Sequence, residues 1–341
     1  MDKPITLLIF YTLLFFVSVL MTLLLRRYAI SKSLFDLPNK RSSHDVPTPR
    51  GGGMAIVVSF LLGTTLIFIY GNITLNFFAA IAGSGMMIAA VGFIDDHISL
   101  PSKVRLVFHF ISAIWVLYWL GIPDLSIFGV FIESGWVSSI LASFFLVWLL
   151  NLYNFMDGID GLASVECITV CLFASLILYF ISGPTEEWVL TLLLASCVSG
   201  FLIWNLPPAS IFMGDVGSAF LGIILGAFVI NSSAQSHVTL WWWLILLGVF
   251  IVDSTYTIVM RVLSNQRFDE AHRSHSYQIL SRKYSSHTVV IVYVCIVNAV
   301  WLFPIAFFVA NETLNGTLGL LIAYTPLVII AWKTGAGMRN E

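Results

Sequence analysis

Five short stretches of this 341-residue chain place acids, amides and basic side chains at spacings that could do chemistry. The stretch "VGFIDDHISLPSKVRL" carries adjacent Asp95 and Asp96. Lys103 and Arg105 follow about two helical turns later. Adjacent carboxylates repel and raise each other's pKa unless a cation or a basic group lies close, and a helix cap would need only one of them. "NLYNFMDGIDGLA" spaces Asn151, Asn154, Asp157 and Asp160 three apart, which in a helix puts them on one face. Gly158 and Gly161 would let a phosphate or another helix approach the backbone. Such a polar stripe is costly at a membrane surface unless it binds something.

"FMGDVGS" sets Asp215 among glycines where an apolar run begins. It reads either as an N-cap or as a carboxylate beside an anion-binding helix terminus, where a magnesium ion could hold phosphate oxygens. "AHRSHSYQ" brackets Arg273 with His272 and His275, a cluster suited to phosphate or nucleotide. "FDLPNKRSSHDVPTPRGGG" is rich in Pro, Gly and Ser and carries Arg41 and His44. It reads as a loop, either closing over phosphate or plainly flexible. Taken together, the oxygen donors suit a hard divalent cation and the basic groups suit phosphates. No His/Cys set has zinc spacing; this donor set indicates Mg²⁺, with Mn²⁺ as a substitute, on a diphosphate. Phosphoryl transfer needs such an ensemble, in which the protein positions and neutralises.

The elements that must position these groups are apolar. Hydrophobic residues make up 59% of the chain and charged residues only 10%, with a mean hydropathy of +0.95. Runs near 5–25, 54–70, 75–94, 104–120, 136–153, 161–182, 187–204, 216–231, 239–260, 288–309 and 316–333 approach the length that crosses a bilayer as a helix. The expectation is an all-α polytopic membrane protein, residues 1–341 as one integral-membrane domain, with eleven spans, or ten if one run is re-entrant. The first run is followed by Arg26–Arg27 and lacks a small-residue cleavage site, so it reads as a retained helix. Positive-inside bias places the N-terminus outside and the C-terminus in the cytoplasm, since Lys3 alone of the 16 Lys and Arg residues then falls clearly outside. All the polar clusters then lie at the cytoplasmic face.

Other features carry less. The four cysteines, Cys167, Cys171, Cys197 and Cys295, lie in apolar runs and read as packing. A net charge of −2 offers no basic surface for nucleic acid. The N-x-S/T sequons at Asn72, Asn231, Asn311 and Asn315 sit in short loops and read as turn chemistry. Asp253 lies about 12 Å, eight helical residues, inside Arg261, which buries it in the bilayer and requires a partner.

The ordered set DD at 95–96, N-x-x-N-x-x-DGxDGLA at 151–163, FMGDxGS at 212–218 and the late His cluster at 272–275 resembles the bacterial polyprenyl-phosphate N-acetylhexosamine-1-phosphate transferases of glycosyltransferase family 4. The muramoyl-pentapeptide transferases are their cousins. The resemblance runs over nearly the whole chain. It implies an inner-membrane enzyme that moves an N-acetylaminosugar 1-phosphate from a UDP-sugar to undecaprenyl phosphate with Mg²⁺, releasing UMP. It implies Asp215 and Asn154 as metal ligands, Asp95 and Asp96 near the lipid phosphate and metal, and Asp157 and Asp160 near the nucleotide. Lys103 falls near the diphosphate, and His272, Arg273 and His275 at phosphate or sugar. Asn151, Arg41 and His44 complete the expected substrate contacts, with a homodimer left open. "HRSHSYQ" departs from the denser His-x-His-His run of the enterobacterial GlcNAc-1-phosphate enzymes and looks more like the O-antigen-initiating members, which leaves the sugar open. The competing class is an ion-coupled transporter, which would place its carboxylates near the midplane. A CDP-alcohol phosphotransferase is disfavoured, because the later residues of its motif are missing after Asp160.

Overall fold

The computed structural model describes residues 4–38, 46–98, 100–127, 130–234, 239–266 and 272–338. All eleven apolar runs are helical. They form α1 (Pro4–Ser31), α2 (Met54–Ile69), α3 (Leu75–Ile98), α4 (Ser102–Leu120), α5 (Trp136–Met156), α6 (Leu162–Ser182), α7 (Glu186–Asn205) and α8 (Asp215–Ser233). Beyond these come α9 (Thr239–Leu246), α10 (Gly248–Leu263), α11 (Ser276–Tyr284) and α12 (His287–Ile296). A π-helical turn, Val297–Leu302, carries α12 into α13 (Phe303–Ala310), and α14 (Gly316–Thr334) closes the order. With no water in a bilayer core, helices satisfy every backbone group internally. Two small antiparallel pairings join Phe35–Asp36 to Thr48–Pro49 and Leu125–Ile127 to Val130–Ile132.

Nine helices among the described residues, counting α12 through α13 as one, are long and apolar enough to cross a membrane. The chain is an all-α polytopic membrane protein. Two expected spans differ from a straight helix. The run 239–260 breaks at Leu247, where α9 and α10 meet at 77°. Counting that pair as one span gives ten. The second is α2, whose 16 residues reach only about 24 Å, short of the ~30 Å hydrocarbon core.

One helix organises the rest. α8 is buried along 94% of its apolar window, whereas α1 and α14 bury 17%. A helix apolar on every side belongs inside a bundle, and α8 lies among α2, α3, α5 and α9. Phe60 and Phe77 pack edge-on against its Phe220 and Phe228, at 5.9 and 6.2 Å between ring centres. Small residues bring the neighbouring backbones close. A methyl group on Gly92 of α3 would fall 2.5 Å from the Cα of Val216, and one on Gly53 would fall 2.4 Å from the Cα of Gly217. The first turn of α8, which carries Asp215, is therefore clamped between the end of α3 and the residues entering α2.

Candidate active site

The clamp brings distant sequence clusters to one end of the bundle. The amides of Gly52 and Gly53 donate to the carbonyls of Phe212 and Met213 at 2.9 and 2.8 Å, and the Phe212 amide returns a bond to the Pro49 carbonyl at 2.8 Å. Gly214 holds φ at +76°, and a methyl group there would fall 2.8 Å from Oδ2 of Asp96. Asp96, in the last turn of α3, holds its carboxylate against the backbone N–H groups of Asp215 and Val216. These are among the donors a helix start leaves open. Arg50 donates to the Asp96 carbonyl.

Next to this cap lies a cavity of about 420 Å³. On one wall Nη1 of Arg105 donates to Oδ2 of Asp95 at 2.9 Å and to Oδ2 of Asp215 at 3.0 Å. The other oxygen of Asp215 accepts from the Asn154 amide at 2.9 Å, and that amide also donates to Ser218 at 3.0 Å. Deeper in, the Asn151 amide lies 3.3 Å from Nδ1 of His109 and donates to the Val147 carbonyl at 2.6 Å.

The cavity is also lined by His272 and His275, whose ring centres are 4.9 Å apart. His272 keeps Nδ1 3.0 Å from the Ser274 hydroxyl. Burial, with help from His275 and Arg261, pushes the His272 imidazole down to about 3, so it is neutral near pH 7 without a ligand. This part of the lining is anchored from three sides. Tyr277 donates its hydroxyl to the Phe155 carbonyl at 2.9 Å, the Gly337 amide donates to the Ser274 carbonyl at 2.9 Å, and the Ser276 and Tyr277 amides donate to Asp253 at 2.9 and 3.0 Å. The partner required for Asp253 is therefore the start of α11, folded back against α10.

The glycosyl transferase family 4 model matches residues 77–233. The chain is also 31% identical over 294 residues to a probable undecaprenyl-phosphate N-acetylglucosaminyl 1-phosphate transferase of Bacillus subtilis, spanning 82% of this chain and 80% of that one. It belongs to glycosyl transferase family 4. A phospho-N-acetylmuramoyl-pentapeptide-transferase of Streptococcus pneumoniae is 28% identical over 225 residues, 63% of this chain and 67% of its own.

In this family 4 transferase the cavity gathers Asp95, Asn151, Asn154, Asp215, His272 and His275. Other expected residues stand elsewhere. Asp157 and Asp160 do not form a helical stripe, because α5 ends at Met156 and α6 starts at Leu162, with Gly161 turning the chain at φ +73°. Asp160 accepts from the Ala209 amide at 3.0 Å and lies 3.3 Å from Nδ1 of His287, outside the cavity lining. Asp157 sits beside the turn. Burial first, then the charges of Asp215, Asp96 and Asp160, push its carboxyl well above the usual range.

Lys103 is exposed and off the cavity lining; the basic residue that reaches the acids is Arg105. In a helix two residues apart face nearly opposite ways, whereas Arg105 and His109, four apart, share a face. That spacing is the available signal for both residues: Arg105 stands in the sequence as a basic companion of the acids without a site role, and His109 carries no motif. The Arg273 side chain is exposed, and its carbonyl accepts from Arg282 at 3.0 Å. Arg41 and His44 lie outside the described residues.

The donor set fits a divalent cation completed by substrate. Two carboxylate oxygens, from Asp95 and Asp215, already converge on a single cationic nitrogen. The Asn154 amide beside them can turn its oxygen inward. Two carboxylates with an amide beside them would suit Mg²⁺, which uses one or two carboxylates together with substrate phosphates.

Proposed function

We propose that this chain transfers an N-acetylaminosugar 1-phosphate from a UDP-sugar to polyprenyl phosphate, releasing UMP, at the cytoplasmic face of a bacterial inner membrane. Such a product would initiate O-antigen or another envelope glycan. One observation carries the reading: Asp95 and Asp215 meet at one cation position in a cavity that two histidines also line. Acids that could gather a divalent cation share that cavity with groups suited to phosphate, at one end of a bundle of membrane helices. The names of the Bacillus and Streptococcus relatives support the choice of substrates.

In this mechanism an oxygen of the lipid phosphate bonds to the sugar-bearing phosphorus. The bridging P–O bond breaks, and UMP leaves with its electron pair. The attacking phosphate has a second pKa near 6, is already largely dianionic, and needs no strong base. Asp95, Asp215 and Asn154 would hold a Mg²⁺ ion, which would supply neutralisation of the charge developing on the diphosphate. Arg105 exchanges its carboxylate partners for diphosphate oxygens, and His272 and His275 bind the substrate from their own part of the cavity lining. Asn151 and His109 meet uncharged polar groups of the substrate at the cavity floor.

The test is UMP release by purified protein with undecaprenyl phosphate and a panel of UDP-N-acetylaminosugars, with magnesium or with chelator. Magnesium-dependent release with one sugar supports the reading and names the donor. Asp215→Asn should lower turnover by at least about a hundredfold; a folded variant that keeps its activity would sink the assignment.

A further inference from the structure

A charged side chain in the middle of an apolar helix needs a reason. Asp253 is only 7% exposed. Its Oδ1 accepts from the Ser276 amide at 2.9 Å and the Thr257 hydroxyl at 3.2 Å, and its Oδ2 accepts from the Tyr277 amide at 3.0 Å. Those amides belong to the first turn of α11, so Asp253 supplies from another helix the acceptors that a local N-cap normally provides. His275, which holds the N-cap position, is 3% exposed, and its Nδ1 lies 3.5 Å from Oδ1 of Asp253. The His275 ring also lines the cavity. With Nδ1 turned to the carboxylate, Nε2 is the nitrogen left for the cavity.

We propose that Asp253 is a positioning residue of the transfer reaction, fixing the His275 ring at the cavity wall while it caps the helix that follows. The proposal rests on the transfer reading above. Capping alone does not call for this residue, because an asparagine or serine could accept from an amide without the cost of a buried charge. A carboxylate behind an imidazole does something more: it fixes the ring's orientation and decides which nitrogen faces outward. The surroundings fit that task. His272 and Tyr277 both pack against the His275 ring, at 4.9 and 5.6 Å between centres. Tyr277 is itself tied to the end of α5 through the Phe155 carbonyl. Asp253, 3.5 Å from Nδ1, is the charged group beside that packed ring and sets its orientation.

The experiment is a double-mutant cycle on the full chain in detergent, read as kcat and KM for the UDP-sugar. Asp253→Asn keeps the shape and one acceptor oxygen. It is expected to lower kcat/KM by about 10- to 100-fold, mostly through kcat, as loss of an orienting partner does. In a His275→Ala background the same change is expected to cost less than about threefold, because the group it orients is gone. Asp253→Ser, a cap without charge, is carried through the same cycle as a second variant. Equal losses in both backgrounds would overturn the proposal, as would an unchanged rate in the single variant. Aggregation of both variants on size exclusion would also overturn it, in favour of a purely structural role. A wild-type chain that binds UDP-sugar but releases no UMP fails the transfer reading. An active wild type with additive variants fails the Asp253 assignment alone.

Discussion

Replacing Arg105 with glutamine should move metal affinity and turnover in opposite directions. Its Nη1 bridges Asp95 and Asp215 at 2.9 and 3.0 Å, so it holds the place between two carboxylates that a divalent cation would take. A hydrogen bond between charged groups contributes about 1.5–3 kcal/mol when shielded from solvent. The side chains of Arg105 and Asp215 are 35% and 36% exposed, so screening cuts each contact to about 1 kcal/mol. Together they amount to about 2 kcal/mol that an incoming cation must displace. At 1.4 kcal/mol per factor of ten, removing them should tighten Mn²⁺ binding without substrate by about 10- to 30-fold. Turnover should fall, because the diphosphate loses a cationic partner. Mn²⁺ affinity is read by electron paramagnetic resonance on protein in detergent, and turnover by UMP release at saturating metal. Mn²⁺ affinity that stays constant or weakens in Arg105→Gln would refute the idea that these carboxylates share one cation site.

Three further outcomes are expected. Gly92→Ala puts a methyl group 2.5 Å from the Cα of Val216; thermal unfolding should show a loss of about 1–3 kcal/mol, and UMP release should fall with it because Asp215 is adjacent. A variant as stable and active as wild type would contradict the close α3–α8 contact. Asp160→Asn keeps an acceptor for the Ala209 amide and should cost less than about threefold in turnover, whereas a hundredfold loss would return Asp160 to the chemistry. His272 sits near pKa 3 without ligand, and a bound diphosphate favours the charged imidazole and raises that value. The ligand complex then holds more proton than the free chain between about pH 3 and the raised value, so UDP-sugar binding should take up proton and tighten as pH falls through that window. Calorimetry in buffers of different ionisation enthalpy measures this, and the same uptake in His272→Gln would show that the proton goes elsewhere.

The sequence made the helices legible because a bilayer leaves few alternatives for a long apolar run. The bend of 77° at Leu247 was not legible, since "LWWWLILLGVFIV" is apolar throughout. Partners far along the chain pack at that break: a methyl group on Gly248 would meet Tyr324 of α14 at 3.1 Å. Local spacing carried part of the candidate site, namely the order of the acidic, amide and histidine clusters. It misled at Asp157 and Asp160, where the interval of three promised a shared face and the helix stops at Met156. Lys103 and Arg105 show the same limit from the other side, because helix direction separates two basic residues that motif reading treats alike.

The acids divide by a rule that only the fold reveals. Asp96 faces the amides of Asp215 and Val216 at the start of α8. Asp253 accepts from the amides of Ser276 and Tyr277 at the start of α11. In each pair a carboxylate on one helix answers the open donors of another, more than twenty residues away, and a residue at that capped end lines the cavity: Asp215 in one case, His275 in the other. Both of these lining residues are held by the same device. A buried carboxylate is costly, and spending it on a distant helix start fixes the direction of the next side chain to within what a single hydrogen-bonded turn allows. Counting aspartates in a membrane sequence therefore overstates the number that line the cavity. Asp95 and Asp215 reach the cavity; Asp96 and Asp253 hold in place the residues that do.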